Sequence, residues 1–97
     1  MKTKYYHGSP LILDCVKSGC DITPNKTLAE AFSHKPTRLS IDDNGIIYHN
    51  GTTKGYLYEV DEELLVGVDI IQHPNSAFTD GDEMLVLRDL KLKLIEN

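Results

Sequence analysis

The chain has no run of about 18 apolar residues, and that absence excludes a membrane-spanning helix. Residues Met1–Gly8 lack the apolar stretch of a secretory signal, so a cytoplasmic protein is expected. Basic residues are few: ten stand against fifteen acidic ones, for a formal charge of −5 over 97 residues. A surface that reads duplex nucleic acid needs a basic face, which this balance disfavours. Cysteine is scarce as well. Cys15 and Cys20 are expected to be free thiols in a reducing compartment. A zinc site needs a second pair of ligands, and His7, His34, His49 and His73 are scattered singly, so no metal is expected. Repeats, low-complexity tracts and long linkers are also missing, which leaves a single domain over residues 1–97. A domain of this size buries roughly 60–70% of its unfolded surface, enough for one core and a shallow cleft.

What is present reads mostly as strand. Lys4–His7 is a short β-favouring run stopped by Gly8-Ser9-Pro10, and Leu11–Val16 is a second, closed by Ser18-Gly19. Thr23-Pro24-Asn25 opens the one clear helix, with Thr23 or Asn25 as cap and Leu28, Ala29, Ala31 and Phe32 at helical spacing. It should end near Ser33–Lys35, before Pro36. Two Asn-Gly turns flank a candidate strand at Ile46-Ile47-Tyr48. Further strands are predicted at Tyr56–Val60, Leu64–Val68, Ile70-Ile71, Met84–Leu87 and Leu90–Ile95, with a loop over Pro74–Gly81. In the last strand Leu90, Leu92 and Leu94 alternate with Lys91 and Lys93, which predicts one buried and one wet face. The sum is an α+β domain of mainly antiparallel sheet with one early helix.

Three places could carry chemistry. The first is Tyr5-Tyr6-His7-Gly8-Ser9, where a glycine after a histidine lets a ligand approach the backbone. Its plain alternative is a strand ending in a turn. The second is the strand-to-helix passage Gly19–Ser33, in which Phe32 is either a core residue or an aromatic face for a flat ring. The third is Asp80-Gly81-Asp82-Glu83 running into an apolar strand, which by itself reads as a solvated strand start. Close carboxylates there would raise the proton affinity of Glu83. Tyr56 and Tyr58 read as strand residues, His73 as a loop residue, and Lys35 and Arg38 as solvated loop charges that could meet a pyrophosphate.

In order and spacing, YYHGSP, ITPNKTLAEAFS, GYLYEV and DEMLVLRDLKL resemble the ADP-ribosyltransferase superfamily. The branch they resemble carries a His–Tyr–Glu signature and includes poly(ADP-ribose) polymerase catalytic domains and rifampin ADP-ribosyltransferases. The likeness spans roughly His7 to Leu94. It implies a fold of split antiparallel β-sheets with one main early helix, and NAD as co-substrate. The activity implied is mono-ADP-ribosyl transfer, or NAD glycohydrolysis, through an oxocarbenium-like state. By the same resemblance His7 would hydrogen-bond the adenosine-side ribose, Gly8 would hold the nicotinamide carboxamide through its backbone N–H and C=O, and Ser9 and Asp21 would belong to the NAD-binding set. Phe32 would stack on the nicotinamide ring, and Glu83 would hold the nicotinamide ribose 2′-hydroxyl and stabilise the developing cation.

The chain also departs from that pattern. Asp21 stands where the branch commonly has tyrosine, lining the nicotinamide site with a charge instead of a ring. Ala29 stands where the family places a serine. These departures keep open an alternative: a catalytically inactive module of the same fold that binds NAD, ADP-ribose or a protein partner. An RNA 2′-phosphotransferase is disfavoured by the thinly spread basic residues. The acceptor, whether protein, nucleic acid or small molecule, is not named by any motif. Exposed sheet edges in so small a domain invite a homodimer.

Overall fold

The computed structural model describes residues 3–34, 38–74 and 83–96. Three antiparallel sheets and one helix make up an α+β architecture. The first sheet has the order β1 (Tyr6–Ser9), β6 (Tyr56–Val60), β9 (Leu90–Glu96), β2 (Cys15–Val16). The second has β3 (Asp21–Ile22), β8 (Met84–Val86) and β7 (Ile70–Gln72), and a hairpin joins β4 (Leu39–Ile41) to β5 (Ile47–His49). Helix α1 spans Lys26–Ser33 and packs mainly on β1. Among the described residues no helix is long and apolar enough to cross a membrane.

The helix begins where the sequence chemistry places it. Asn25 is the N-cap, its side-chain oxygen accepting from the Leu28 amide, and Thr23 Oγ1 accepts from the Asn25 amide. Leu28, Ala29, Ala31 and Ser33 face inward. Phe32 is only half-buried. The helix closes at His34, and the Lys35-Pro36 part of the expected boundary lies outside the described residues. The β4–β5 hairpin meets this end of the helix, with the His34 and His49 rings stacked at 5.5 Å.

Helix α1 comes unusually close to β1. A Cβ added to Gly8 would lie 1.7 Å from the Ala29 carbonyl oxygen, so only glycine lets the two backbones meet. Gly55, just before β6, has the same role against Ser33, where an added Cβ would lie 2.3 Å from the backbone oxygen. The core proper lies between the sheets. Val16, Ile22, Val60, Ile70, Met84, Val86 and Leu90 form one buried cluster. Four of these, Ile22, Met84, Val86 and Ile70, come from one face of the second sheet, as strand alternation requires.

Several expectations are corrected. Strand β1 does not stop before Gly8-Ser9 but runs through both, because Gly8 and Ser9 pair with Leu57 and Tyr56 of β6. The run Leu11–Val16 forms ladder only at Cys15–Val16. Upstream, the buried Tyr58 hydroxyl donates to the Leu11 carbonyl and accepts from the Leu13 amide, both at 2.8 Å. That side chain replaces a neighbouring strand, and Leu11 and Ile12 are left exposed. Leu64–Val68 is not a strand: Asp69 folds it into a turn by accepting from the Leu65 amide, and Gly67 adopts φ +91°. The alternation of β9 fails at Leu94, which is exposed. A register shift opposite Leu57 and Tyr58 interrupts the pairing there, and Ile95 is the half-buried residue instead. Strand β4 is not foreseen from sequence, β3 lies in the strand-to-helix passage expected at Gly19–Ser33, and the Pro74–Gly81 loop falls largely outside the described residues.

The helix–strand contact gives a direct test. Gly8→Ala should destabilise the domain by about 3 kcal/mol or more, lowering Tm by more than about 10 °C. Thermal and urea unfolding check this, and a Tm within two or three degrees of wild type (about half a kcal/mol) would contradict the close approach.

Candidate functional site

A cleft of about 330 Å³ opens where the first two sheets diverge. Among the described residues one backbone bridge ties β1 to the end of β3: the Tyr6 amide donates to the Thr23 carbonyl at 2.7 Å, and the Thr23 amide returns a bond at 2.9 Å. Antiparallel alternation sends every second residue's N–H and C=O to the same edge. The Gly8 backbone groups therefore point the way those of Tyr6 do, away from β6, past the point where β3 has turned off to pair with β8. The lost side chain of Gly8 makes room for α1, so the glycine serves packing as well as backbone access.

The lining gathers His7 and Gly8 from β1, Asp21 from β3, Phe32 from α1 and Glu83 from the start of β8, together with Tyr6, Cys20 and Ala29. Five of the six site residues read from the sequence thus share one cleft, although they come from four distant segments. Ser9 is the exception. It is buried, its hydroxyl accepts from the Leu11 amide, and it does not line the cleft. Ala29 is fully buried against β1, in the floor. Arg38 lines a separate groove on the β4–β5 hairpin, and Lys35 lies outside the described residues. Asp80, Gly81 and Asp82 lie outside them too.

His7 spans the divergence. Its Nδ1 lies 2.8 Å from the Asp21 carbonyl oxygen. A carbonyl can only accept, so Nδ1 carries the proton and Nε2 is the acceptor of the neutral ring. Burial holds the His7 pKa below the ordinary histidine value, only partly offset by this backbone bond, and the ring is neutral at pH 7.

The second sheet aims two more groups at the cleft. Asp21 pairs across the ladder with Leu85, Ile71 pairs with Leu85, and Gln72 pairs with Met84. By alternation Asp21, Glu83 and His73 share the face opposite the core. His73 Nε2 lies 3.5 Å from Asp21 Oδ1 and 3.9 Å from Glu83 Oε2. The His73 amide also donates to the Glu83 carbonyl at 3.0 Å, which extends the β7–β8 ladder by one pair. Burial, then the hydrogen bond and like charge of Glu83, push the Asp21 carboxyl up to about 7, with His73 pulling the other way.

His73 does not line the cleft, but it reaches both carboxyl groups that do, a contact not expected from the sequence. Its signal was register: once Gln72 opposes Met84, residue 73 must oppose Glu83. One ligand atom each of Asp21, His73 and Glu83 lies within 4.8 Å of the others, with a single histidine among them, which by itself does not make a metal site. Both cysteines are free; Cys20 lines the cleft and Cys15 does not.

No family model, curated protein sequence or solved structure matches the chain.

The pair gives a pH test of stability. Asp21 titrates near 7 when folded and near about 3.9 when unfolded. The folded state binds the proton more tightly, so ionising Asp21 imposes a penalty that grows as pH rises between those values and is constant above. Asp21→Asn should therefore gain stability over wild type between about pH 4 and pH 8, by about 1 kcal/mol once solvent screening of a half-exposed group is allowed for. Urea midpoints across that range check it; a difference independent of pH would refute the perturbed carboxyl.

Proposed function

We propose that the chain binds NAD in the cleft and cleaves its nicotinamide–ribose bond, as a mono-ADP-ribosyltransferase or an NAD glycohydrolase with the split-sheet ADP-ribosyltransferase fold. The observation that carries the reading is the convergence of His7, Gly8, Phe32 and Glu83 on one cleft. Those residues come from separate segments, and each offers the group that the resemblance asks of it. The Gly8 backbone edge offers one donor and one acceptor, the pair a carboxamide needs. The neutral His7 ring keeps Nε2 as an acceptor for a ribose hydroxyl. Phe32 adds an aromatic face, and stacking of a flat ring on such a face contributes about 1–3 kcal/mol. A cleft of about 330 Å³ suits the nicotinamide riboside half of the dinucleotide, with the remainder lying outside.

Glu83 is the group on which the chemistry turns. It is 9% exposed and stands at the start of β8, where the ladder fixes its backbone. Loss of nicotinamide leaves positive charge on the ribose. A carboxylate that accepts from the 2′-hydroxyl gains strength as that charge develops, and so lowers the barrier rather than only tightening binding. A low-dielectric surrounding enlarges the effect.

A second reading rests on one observation. Asp21 shares a hydrogen bond with Glu83 and occupies the position at which the family carries an aromatic. If that contact persists with a ligand bound, the cleft is a binding module for NAD or ADP-ribose without turnover.

Nicotinamide release from NAD, followed by chromatography, separates the two. Glu83→Gln should lower the rate by about 10²–10³-fold while the circular dichroism spectrum and Tm stay close to wild type. Full activity in that variant would eliminate the mechanism, and calorimetric binding without release would establish the second reading.

A further inference from the structure

The cleft holds two carboxyl groups in unlike surroundings. The Glu83 side chain is 11% exposed and that of Asp21 is 42% exposed, with donor atoms of both within 4.8 Å of each other and of His73 Nε2. Like charges at this range do not both ionise freely, and the pair titrates as a unit. Where two carboxyls are driven apart by their environments, they divide an acid–base reaction between them. The buried member suits a fixed charge against the substrate. The half-exposed member can exchange a proton with solvent.

Resting on the NAD reading above, we propose that Asp21 is the general base for an O–H nucleophile, so that the acceptor class is water or a hydroxyl group. The C1′–N bond breaks with its electron pair passing to the nicotinamide nitrogen, which becomes neutral. An oxygen lone pair forms the new O–C1′ bond, and the O–H proton passes to the Asp21 carboxylate and then to solvent. The products are nicotinamide, an O-linked or free ADP-ribose, and one proton. A cationic acceptor fits less well, because His73 Nε2 already lies within 3.9 Å of both carboxyl groups, beside which a guanidinium or ammonium group would have to fit.

Among the described residues the titratable groups beside the Asp21 carboxyl are Glu83, just before β8, and His73, after β7; His7 of β1 bonds the Asp21 carbonyl, and Tyr6 and Cys20 share the cleft. A base must be deprotonated to act, so release by wild type should rise with pH and level off above neutrality. Asp21→Asn should reduce release by about 10²–10⁴-fold and abolish that rise. Azide, a nucleophile with no proton to lose, should restore turnover in the variant as ADP-ribosyl azide and leave wild type unaffected.

Two readouts do not depend on turnover. Calorimetry should give the variant an NAD affinity within about threefold of wild type, and carboxyl NMR of the unliganded protein should lose one group titrating near neutrality. Added methanol distinguishes the two sources of the O–H group: methyl ADP-riboside marks a site open to hydroxyls, and ADP-ribose alone marks water. Either product supports the assignment. Should Asp21→Asn not fold, Asp21→Ala carries the same measurements. Unchanged rate and pH profile in the variant overturn the assignment, as does a slow variant of normal NAD affinity that azide does not revive. If wild type releases no nicotinamide, the NAD-cleavage reading fails and this one with it; active wild type with an unaltered variant overturns this one alone.

Discussion

The contact between Gly8 and Ala29 governs the geometry of the molecule. Only a residue without Cβ allows the helix backbone to reach the strand, and the would-be Cβ position is 1.7 Å from a carbonyl oxygen. With α1 seated there, Ala29 and Phe32 are brought to the floor and wall of the cleft. The segment leading into the helix must then pass β1 at Tyr6 and Thr23, and the short β3 before it is free to pair with β8. The sheets part at that bridge. A space opens beside the Gly8 backbone because its next neighbour on that edge has joined another sheet. The cleft is thus a consequence of a helix packed too closely for any other residue at position 8.

The two polar groups that bridge the parting have opposite electrostatic demands. Burial favours neutral His7, so folding resists its protonation, and stability carried by the neutral ring is lost as pH falls below the ordinary histidine range. Burial and Glu83 favour protonated Asp21, so stability is lost as pH rises toward 7. A fold selected for stability alone would keep at most one of these. Both lie in the same cleft, the His7 ring bonded to the Asp21 carbonyl at 2.8 Å. Perturbed groups that share a concavity are what mark it as a candidate site.

Much of the scaffold is legible in local sequence. Asn25 as cap, the helical spacing of Leu28, Ala29 and Ala31, and the strands of Tyr56–Val60 and Leu90–Glu96 follow from periodicity and turn chemistry. Elements that depend on a distant partner are not. The bounds of β3, two residues long, are set by its pairing with β8. Leu64–Val68 has strand composition, yet the Asp69 carboxylate and Gly67 hold it as a turn. The site shows the same division. His7, Gly8, Phe32 and Glu83 stand out by motif, whereas His73 enters only through the register of β7 against β8, and Ser9 leaves because its hydroxyl is committed to the Leu11 amide.

A chain of 97 residues has little interior from which to build a pocket. This one places its cleft between sheets and lines it with strand edges and strand ends, which cost no additional core. The arrangement also explains where the charges sit. One face of the β3–β8–β7 sheet supplies Ile22, Met84, Val86 and Ile70 to the core, so the other must carry whatever polar chemistry the sheet bears. Asp21, His73 and Glu83 are the polar residues that this alternation leaves on the open face, and the parting of the sheets turns that face toward Gly8 and Phe32. Cleft geometry and core packing are therefore set by one register. A slip of a single residue in β8 would move Glu83 to the core side and bring Met84 into the cleft, so the cleft lining and the core depend on the same hydrogen bonds.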